Sequence, residues 1–157
     1  MNTRPVLYAE DQETDVFFLQ RAFKQVEVSN PIRSVSNGQQ AIDYLSSTIS
    51  SAGAEQFPMP RLLLLDVKMP LKSGLEVLEW KRNQPALSTL PAVIFTSSAQ
   101  ERDIRAAYEF GANAYLVKPY SLAEMVAMAK VIKEFWLTMN LALSDWKPAG
   151  TTGGSQT

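Results

Sequence analysis

Five short apolar runs alternate with segments of helical periodicity along this chain, and this alternation limits the folds that it can adopt. The most apolar run is Leu62–Leu65, and Val6–Ala9 and Ala114–Val117 have the same length. Continuous apolar runs of this kind are typical of parallel strands that are covered by helices on both faces. The alternation therefore predicts an α/β domain built from five βα units around a parallel sheet.

The periodic segments between these runs give the expected helices. Apolar residues recur at a spacing near 3.6 over residues 16–26, and we expect Pro31 to end this first helix. The clearest apolar stripe covers residues 122–139 and predicts the last helix. Residues 32–36 alternate and predict an edge strand, whereas the small, polar and proline-containing residues 46–60 predict a long surface loop.

Chain length and composition favour one globular domain followed by a tail. A chain of 157 residues is long enough to bury roughly 70% of its unfolded surface around one core. We expect this domain over residues 4–143, with a flexible tail over residues 144–157 and no effector domain. The tail is indicated by glycine, serine and threonine residues of the kind found in linkers.

Charge and residue usage exclude several classes of function. The 15 basic and 16 acidic residues give a net charge of −1 without a basic block, so we expect no binding to nucleic acid. No apolar stretch approaches the roughly 20 residues of a membrane span, and we expect a cytoplasmic protein that does not contact a membrane. The absence of cysteine and histidine excludes thiolate metal sites and nucleophiles that depend on a histidine base.

Polar side chains follow four of the apolar runs at the point where each predicted strand ends. Glu10 and Asp11 follow the first run, Asp66 the third, Thr96 the fourth and Lys118 the fifth. Ligands of open α/β sheets bind beyond the carboxyl ends of the strands. Each residue alone has an ordinary alternative, since acidic and hydroxyl residues after strands often cap the next helix. Together they predict a polar site of three carboxylates, a hydroxyl and an ammonium at one edge of the sheet.

Four sequence segments around these strand ends carry a specific pattern. They are residues 9–11 (Ala-Glu-Asp), residues 64–70 with Gly74 downstream, residues 95–98 (Phe-Thr-Ser-Ser) and residues 111–119. With these segments, residues 5–140 resemble the receiver domains of two-component response regulators. The resemblance implies a flavodoxin-like (βα)5 three-layer sandwich with strand order 2-1-3-4-5. It also implies that a partner sensor histidine kinase phosphorylates Asp66.

The chemistry of phosphoryl transfer agrees with the residue types at these strand ends. The reaction requires an in-line nucleophile and positive charge around the equatorial oxygens, with little covalent chemistry left for the protein. Asp66 can be that nucleophile. Lys118 and the hydroxyl of Thr96 would hold the phosphoryl oxygens and stabilise the charge that develops during transfer.

Crowded carboxylates also need a cation, because their mutual repulsion would otherwise raise their pKa values. The resemblance implies Mg²⁺ (or Mn²⁺), with Asp11 and Asp66 as direct ligands, the backbone carbonyl of Lys68 as a third ligand and Glu10 acting through water. Lys68 and Ser98 lie where members of the family tune the lifetime of the acyl phosphate. For Lys68 the alternative is a solvated loop lysine.

The resemblance also implies a conformational switch. When the phosphoryl group arrives, Thr96 is predicted to move toward it, and Tyr115 to turn inward into the vacated space. The surface formed by the fourth helix, the fifth strand and the fifth helix would change as a result. The alternative for Tyr115 is an aromatic residue at an exposed strand position. A cis peptide bond is expected between Lys118 and Pro119.

Two features concern partners. The long loop over residues 46–60, the Phe135-Trp136 pair and the expected lack of an effector domain are similar to the stand-alone regulators that serve bacterial phytochrome kinases. The last helix is more apolar than one buried face requires, which predicts homodimerisation through Phe135, Trp136, Met139 and Leu141. In the alternative, the tail folds back and covers this surface. The downstream protein remains unassigned.

Three other classes of function stay open at this point. A haloacid-dehalogenase-like phosphatase also uses an aspartate nucleophile, but in that family the nucleophile ends the first strand and a second aspartate follows two residues later, where this chain has Lys68. A nucleotide-binding or flavin-binding domain would need a glycine-rich phosphate loop, which is missing. A degenerate receiver that acts only as a protein-interaction module is disfavoured because no site residue is lost. We expect a signalling phosphoacceptor and not an enzyme.

Overall fold

The computed structural model describes residues 4–149, except for the side chain of Ser144. Five parallel strands form one sheet in the order β2-β1-β3-β4-β5. The expected flavodoxin-like fold and strand order are confirmed. The strands are β1 (Val6–Ala9), β2 (Ile32–Val35), β3 (Leu62–Leu65), β4 (Ala92–Thr96) and β5 (Ala114–Val117).

Helices follow each strand and cover both faces of the sheet. Two short 3-10 helices, Pro85–Leu87 and Leu143–Asp145, complete the elements of the described chain. The last long helix begins as an α-helix and continues without a break as a π-helix over Ile132–Met139. The α-helices are α1 (Glu13–Gln25), α2 (Gly38–Ile49), α3 (Gly74–Arg82), α4 (Glu101–Glu109) and α5 (Leu122–Val131).

Strand β3 lies at the centre of the sheet because its side chains are apolar on both faces. Leu63 and Leu65 pack into a core with residues of α2 and α3, whereas Leu62 and Leu64 pack into a second core with residues of α1 and α5. All four leucines are fully buried, and each contributes roughly 1.5–3 kcal/mol to the free energy of folding. A strand flanked by two cores is held firmly, and it ends at the polar edge of the sheet.

The first helix ends earlier than expected. Gln25 is its last residue, and Glu27 adopts a left-handed conformation with φ of 59°. The amide of Val28 then donates to the carbonyl of Phe23 over 2.9 Å, which satisfies the end of the helix. The prediction that Pro31 ends this helix was therefore wrong, because a local turn ends it first.

The predicted loop over residues 46–60 is also shorter than expected, since α2 extends to Ile49. The segment that follows packs back on this helix. The hydroxyl of Thr48 donates to the carbonyl of Phe57 over 2.8 Å, and the hydroxyl of Tyr44 donates to the carbonyl of Pro58 over 2.9 Å. Helix periodicity across residues 46–49 was hidden by small polar residues, whose propensity tertiary contacts override.

The peptide bond between Lys118 and Pro119 is trans, because no cis peptide bond occurs within residues 4–149. The expected cis bond is therefore corrected. The trans isomer is favoured by roughly 0.5–1 kcal/mol before proline, and the loop accommodates it. The amide of Lys118 donates to the carbonyl of Thr96 over 2.8 Å, so the chain stays aligned with β4 up to this point.

The segment after the last long helix returns to the edge of the sheet where β3 begins, opposite the edge where the strands end. Arg61, which precedes β3, is buried and donates to the carbonyl of Asn140. The carboxylate of Asp145 lies 3.6 Å from Nε of Arg61 and 3.4 Å from Nη2 of Arg4. The predicted tail thus begins with residues that contact the domain, and its residues 150–157 lie outside the described part. No helix within residues 4–149 is long and apolar enough to cross a membrane.

Candidate functional site

The parallel register of β1 and β3 brings two predicted carboxylates together. Ala9 is paired with Leu65, and the amide of Asp66 donates to the carbonyl of Ala9 over 3.1 Å. The next residues, Glu10 and Asp66, therefore lie side by side at the carboxyl edge of the sheet, and both are buried. The hydroxyl of the fully buried Tyr8 donates to Glu10 over 3.2 Å. These contacts fix both carboxylates on rigid strands.

Thr96 orients one oxygen of the Asp66 carboxylate. The Thr96 hydroxyl at the end of β4 donates to Oδ1 of Asp66 over 2.6 Å, and the amide of Lys68 donates to the same oxygen over 3.3 Å. The hydroxyl thus already points at the predicted phosphoacceptor. The loop after Asp66 is close-packed as well, since an added Cβ at Gly74 would lie 2.1 Å from the Asp66 carbonyl oxygen.

Lys118 contacts the other oxygen of Asp66. Its Nζ atom donates to Oδ2 of Asp66 over 2.8 Å, to Oδ2 of Asp15 over 2.8 Å, and to Oε1 of Glu10. Burial alone would lower the pKa of Lys118, but hydrogen bonds to these carboxylates, first of all to Asp15, raise it above its usual value. The side chain is therefore an ammonium whose three hydrogen bonds all go to carboxyl oxygens.

The two adjacent carboxyl groups differ in their affinity for protons. Burial, together with a hydrogen bond to Asp66, raises the pKa of Glu10 to about 8. Burial would also raise the pKa of Asp66, but hydrogen bonds with Glu10 and Lys118 hold it below its usual value. Near neutral pH, Asp66 is therefore the ionised carboxylate, as a nucleophile must be, and Glu10 retains most of its proton when no metal ion is bound.

Asp11 completes a set of oxygen ligands. Carboxylate oxygens of Glu10, Asp11 and Asp66 all lie within 4.8 Å of one another. Only hard oxygen donors are present, and Asp11 is half-buried at the opening, which fits a hydrated divalent cation such as Mg²⁺ or Mn²⁺. A cavity of about 510 Å³ lies at this site, and Asp11, Asp66 and Lys68 are among the residues that line it. The residues predicted to hold a metal ion are thus brought together.

Tyr115 and Ser98 are linked to the site through the loop between β4 and α4. The Ser98 amide donates to the Thr96 hydroxyl oxygen over 3.4 Å, and the Tyr115 hydroxyl donates to the Ser98 carbonyl over 2.8 Å. The Ser98 hydroxyl donates over 2.6 Å to the carboxylate of Asp103, a buried residue in the first turn of α4. A continuous set of hydrogen bonds therefore joins Asp66 to β5 and α4.

Two residues of this arrangement were missed in the sequence. Asp15 lies four residues after Asp11, and this spacing alone does not show that its side chain reaches Lys118. Asp103 lies five residues after Ser98, and nothing in the sequence distinguished it from the other acidic residues of α4. Both are polar residues near the predicted site that carry no recognisable motif.

The residues predicted to form an interface lie away from this site, at the end of the last helix. Met139 and Leu141 are exposed, and Phe135 is exposed over 48% of its surface. Trp136 is half-buried against the second core, where its ring meets that of Phe135 edge to face at 4.9 Å between centroids. Residues 145–149, the part of the tail whose side chains the structure describes, leave this apolar surface open to solvent.

Comparisons with known proteins agree with this geometry. A family model described as the response regulator receiver domain matches residues 6–130. The probable methanogenesis regulatory protein FilR2 of Methanothrix harundinacea is 33% identical over 135 residues, which cover 86% of this chain and 84% of that protein. The response regulator Rcp1 of Synechocystis sp. is 33% identical over 132 residues, which cover 84% of this chain and 88% of that protein.

Solved structures of response regulators are also similar to this chain. The phosphorylated cyanobacterial phytochrome response regulator RcpA has a TM-score of 0.81 and 30% identity, covering 90% of this chain and 99% of its own. The Mn²⁺-bound form of Rcp1 has a TM-score of 0.77 and 31% identity, with coverage of 88% and 98%. Both the receiver-domain resemblance and the similarity to phytochrome-associated regulators are confirmed. By its motifs, fold and relatives, this chain belongs to the family of response regulator receiver domains.

Proposed function

We propose that this protein is a response regulator that accepts a phosphoryl group on Asp66 from a partner histidine kinase. The observation that carries the proposal is the arrangement around Asp66, whose two oxygens accept hydrogen bonds from Thr96 and Lys118. These are the donors that a phosphoryl group attached there would need. Asp66 is kept ionised and lines an open cavity, so it is both reactive and accessible.

In the proposed reaction, a carboxylate oxygen of Asp66 attacks the phosphorus of a phosphohistidine in line with the P–N bond. The new O–P bond forms as the P–N bond breaks, and the electron pair returns to the imidazole nitrogen, which takes up a proton. Lys118 and Thr96 then donate to the phosphoryl oxygens and stabilise the charge that accumulates on them. The product is an acyl phosphate whose hydrolysis resets the protein.

A divalent cation fits the same site. Asp11 and Asp66 would bind it directly, the backbone carbonyl of Lys68 would supply a further oxygen, and Glu10 would act through water. When bound, such a cation supplies positive charge next to the transferred phosphoryl group. The cluster of three carboxylates supports this assignment, and the Mn²⁺-bound form of the relative Rcp1 agrees with it.

We assign the output of the switch to α4, β5 and α5. The hydrogen bonds from Thr96 through Ser98 to Tyr115 and Asp103 support this assignment, because a shift of Thr96 toward a phosphoryl oxygen changes the partners of Ser98. Ser98 and Lys68 also flank the cavity, where they control access of water to the acyl phosphate. These roles make both residues determinants of its lifetime.

The nature of the relatives supports a phytochrome-type kinase as the partner. RcpA is described as a cyanobacterial phytochrome response regulator, and it matches nearly the whole of this chain.

The exposed apolar residues Phe135, Met139 and Leu141 support a homodimer formed through the end of the last helix. We also place the protein in the cytoplasm, the compartment expected from its sequence.

One experiment tests the central proposal. Intact-mass analysis after incubation with acetyl phosphate and Mg²⁺ should show the parent gaining one labile phosphoryl group, and Asp66→Asn should gain none. A control receiver of known activity should be modified under the same conditions. If the parent remains unmodified while the control is phosphorylated, the protein is an interaction module and not a phosphoacceptor.

A further inference from the structure

Asp15 takes one of the three hydrogens of the Lys118 ammonium. The contact from Nζ of Lys118 to Oδ2 of Asp15 is 2.8 Å long, the same length as the contact to Asp66. Glu10 accepts the remaining hydrogen. An ammonium has three donors and no acceptor, so every donor of Lys118 is already used by a carboxyl oxygen of Glu10, Asp15 or Asp66.

A phosphoryl group on Asp66 would need one of these donors for its own oxygens. Besides Asp66 itself, the two other acceptors differ in how easily they can give up their hydrogen bond from Lys118. The Glu10 side chain is fully buried and would lose a hydrogen bond that water cannot replace, whereas the Asp15 side chain is 33% exposed. The carboxylate that can rejoin water at least cost is therefore Asp15.

Asp15 is also placed to leave without disturbing the site. It lies in the first turn of α1, where a negative charge is favourable whether or not it contacts Lys118. It lines the same cavity as Asp66 and Thr96, and its side chain is partly exposed to solvent. A rotation of its side chain toward solvent would remove one negative charge from the immediate surroundings of the arriving phosphoryl oxygens.

We propose that Asp15 is a positioning residue that holds Lys118 while Asp66 is unphosphorylated and is displaced from Lys118 by the phosphoryl group. The inference rests on the proposed function of Asp66. Asp15 thereby opposes phosphorylation, because its contact with Lys118 must break before the transition state forms. It has no corresponding effect on hydrolysis, since the contact is already broken in the acyl phosphate.

The test compares two variants that remove one charge from the same helical turn. Asp15→Asn keeps the shape of the side chain, and Glu13→Gln is the matched control, because Glu13 lies in that turn without a contact to Lys118. With acetyl phosphate and Mg²⁺, we expect Asp15→Asn to be phosphorylated about two- to fivefold faster than the parent, the size of effect typical of one partly exposed ion pair. Hydrolysis rates of all three proteins should agree within about twofold.

The possible results separate this inference from the proposed function. A parent that takes up no phosphoryl group contradicts the assignment of Asp66 itself. If the parent is phosphorylated but Asp15→Asn is phosphorylated no faster, the role of Asp15 is overturned. The same holds if the acyl phosphate of Asp15→Asn is hydrolysed faster by the same factor as its phosphorylation. Equal acceleration in Glu13→Gln would also overturn it, since charge alone would then explain the effect.

A second variant and a second measurement guard against a change in folding. Asp15→Ser shortens the side chain beyond reach of Lys118 and keeps a residue that is well tolerated at the start of a helix. Beryllium fluoride with Mg²⁺ mimics a phosphoryl group without covalent chemistry. We expect both Asp15 variants to bind beryllium fluoride more tightly than the parent, by a factor similar to the increase in phosphorylation rate. Unchanged or weaker binding would contradict the displacement of Asp15 from Lys118.

Discussion

At the scale of single residues, the site is defined by where its protons and charges lie. Glu10 and Asp66 are adjacent carboxyl groups, yet the pKa of Glu10 is raised to about 8 while that of Asp66 is lowered. Hydrogen bonds with Glu10, Lys118 and Thr96 favour the ionised form of Asp66. The nucleophile is thus ionised because a neighbouring carboxyl group carries the proton when no metal ion is bound.

This arrangement predicts how stability depends on pH. Between pH 4.5 and about 8, folded Glu10 holds a proton that the unfolded chain has released. Unfolding therefore releases a proton, and the free energy of unfolding of the cation-free protein should fall by on the order of 3–4 kcal/mol as pH rises from about 5 to 8. The lowered pKa of Asp66 acts only in more acidic solution.

Melting temperatures measured with a chelator present would detect this change as a decrease of roughly 6–16 °C. In Glu10→Gln the decrease should largely disappear, because the titrating group is gone. Glu13→Gln should retain it. A full decrease in Glu10→Gln would assign the titration to another residue.

At the scale of secondary-structure elements, the loop between β4 and α4 connects the site to the rest of the switch. Ser98 is its central residue: its amide contacts Thr96, its carbonyl accepts from Tyr115, and its hydroxyl donates to Asp103. A short loop with three such contacts transmits a change at one end to the other. The start of α4 is therefore coupled to the end of β4.

Removing the Ser98 hydroxyl should loosen that coupling. Ser98→Ala leaves the buried Asp103 carboxylate without this donor, which we expect to cost about 1–2 kcal/mol in the free energy of unfolding. Amide hydrogen exchange should become faster in the first turn of α4. Ser97→Ala is the matched control, since Ser97 is exposed, and it should change neither quantity. Unaltered exchange in α4 of Ser98→Ala would show that the hydroxyl does not hold this helix.

Removing the Tyr115 hydroxyl should separate reception of the signal from its output. Tyr115→Phe keeps the ring and loses only the bond to the Ser98 carbonyl. We expect phosphorylation by acetyl phosphate to stay within about twofold of the parent, because Tyr115 does not contact Asp66, while the phosphorylation-dependent change in exchange of β5 and α5 decreases. Phosphorylation that slows strongly, or an unchanged response in β5, would contradict this division of roles.

At the scale of the whole molecule, the fold separates the site from the apolar surface at the end of the last helix. The site lies at the carboxyl edge of the sheet, whereas Met139 lies beyond α5 and is 76% exposed. Phe135 and Val131 are also exposed at intervals of four residues along the same helix. Spacing of this kind places apolar side chains on one side of a helix, as in an interface.

A dimer formed through this surface should dissociate when a charge is placed in it. At about 50 μM, light scattering should give the parent a mass near twice the 17.5 kDa chain, and Met139→Lys a mass near that of one chain. Leu71→Lys is the matched control, because Leu71 is also 76% exposed but lies in the loop after β3. A parent with the mass of one chain would rule out this interface at that concentration.

Most of the fold and of the site could be predicted because the informative residues lie on strands or immediately after them. Four consecutive leucines indicate a buried strand, and Asp66 after them indicates the site. Asp15 and Asp103 could not be predicted, since their roles depend on contacts with Lys118 and Ser98 that arise only when the chain folds. The trans bond before Pro119 was missed for a similar reason, because one motif is compatible with either isomer.

The position of β3 between two cores has a consequence for how a signal travels through the molecule. Amides of a strand paired on both sides and buried on both faces exchange with solvent only when the whole domain unfolds. The backbone that carries Asp66 is therefore the part of the protein least able to move. Phosphorylation would therefore occur on a part of the backbone that hardly moves. Its effect can reach mobile elements only through the hydrogen-bond partners of the Asp66 carboxylate.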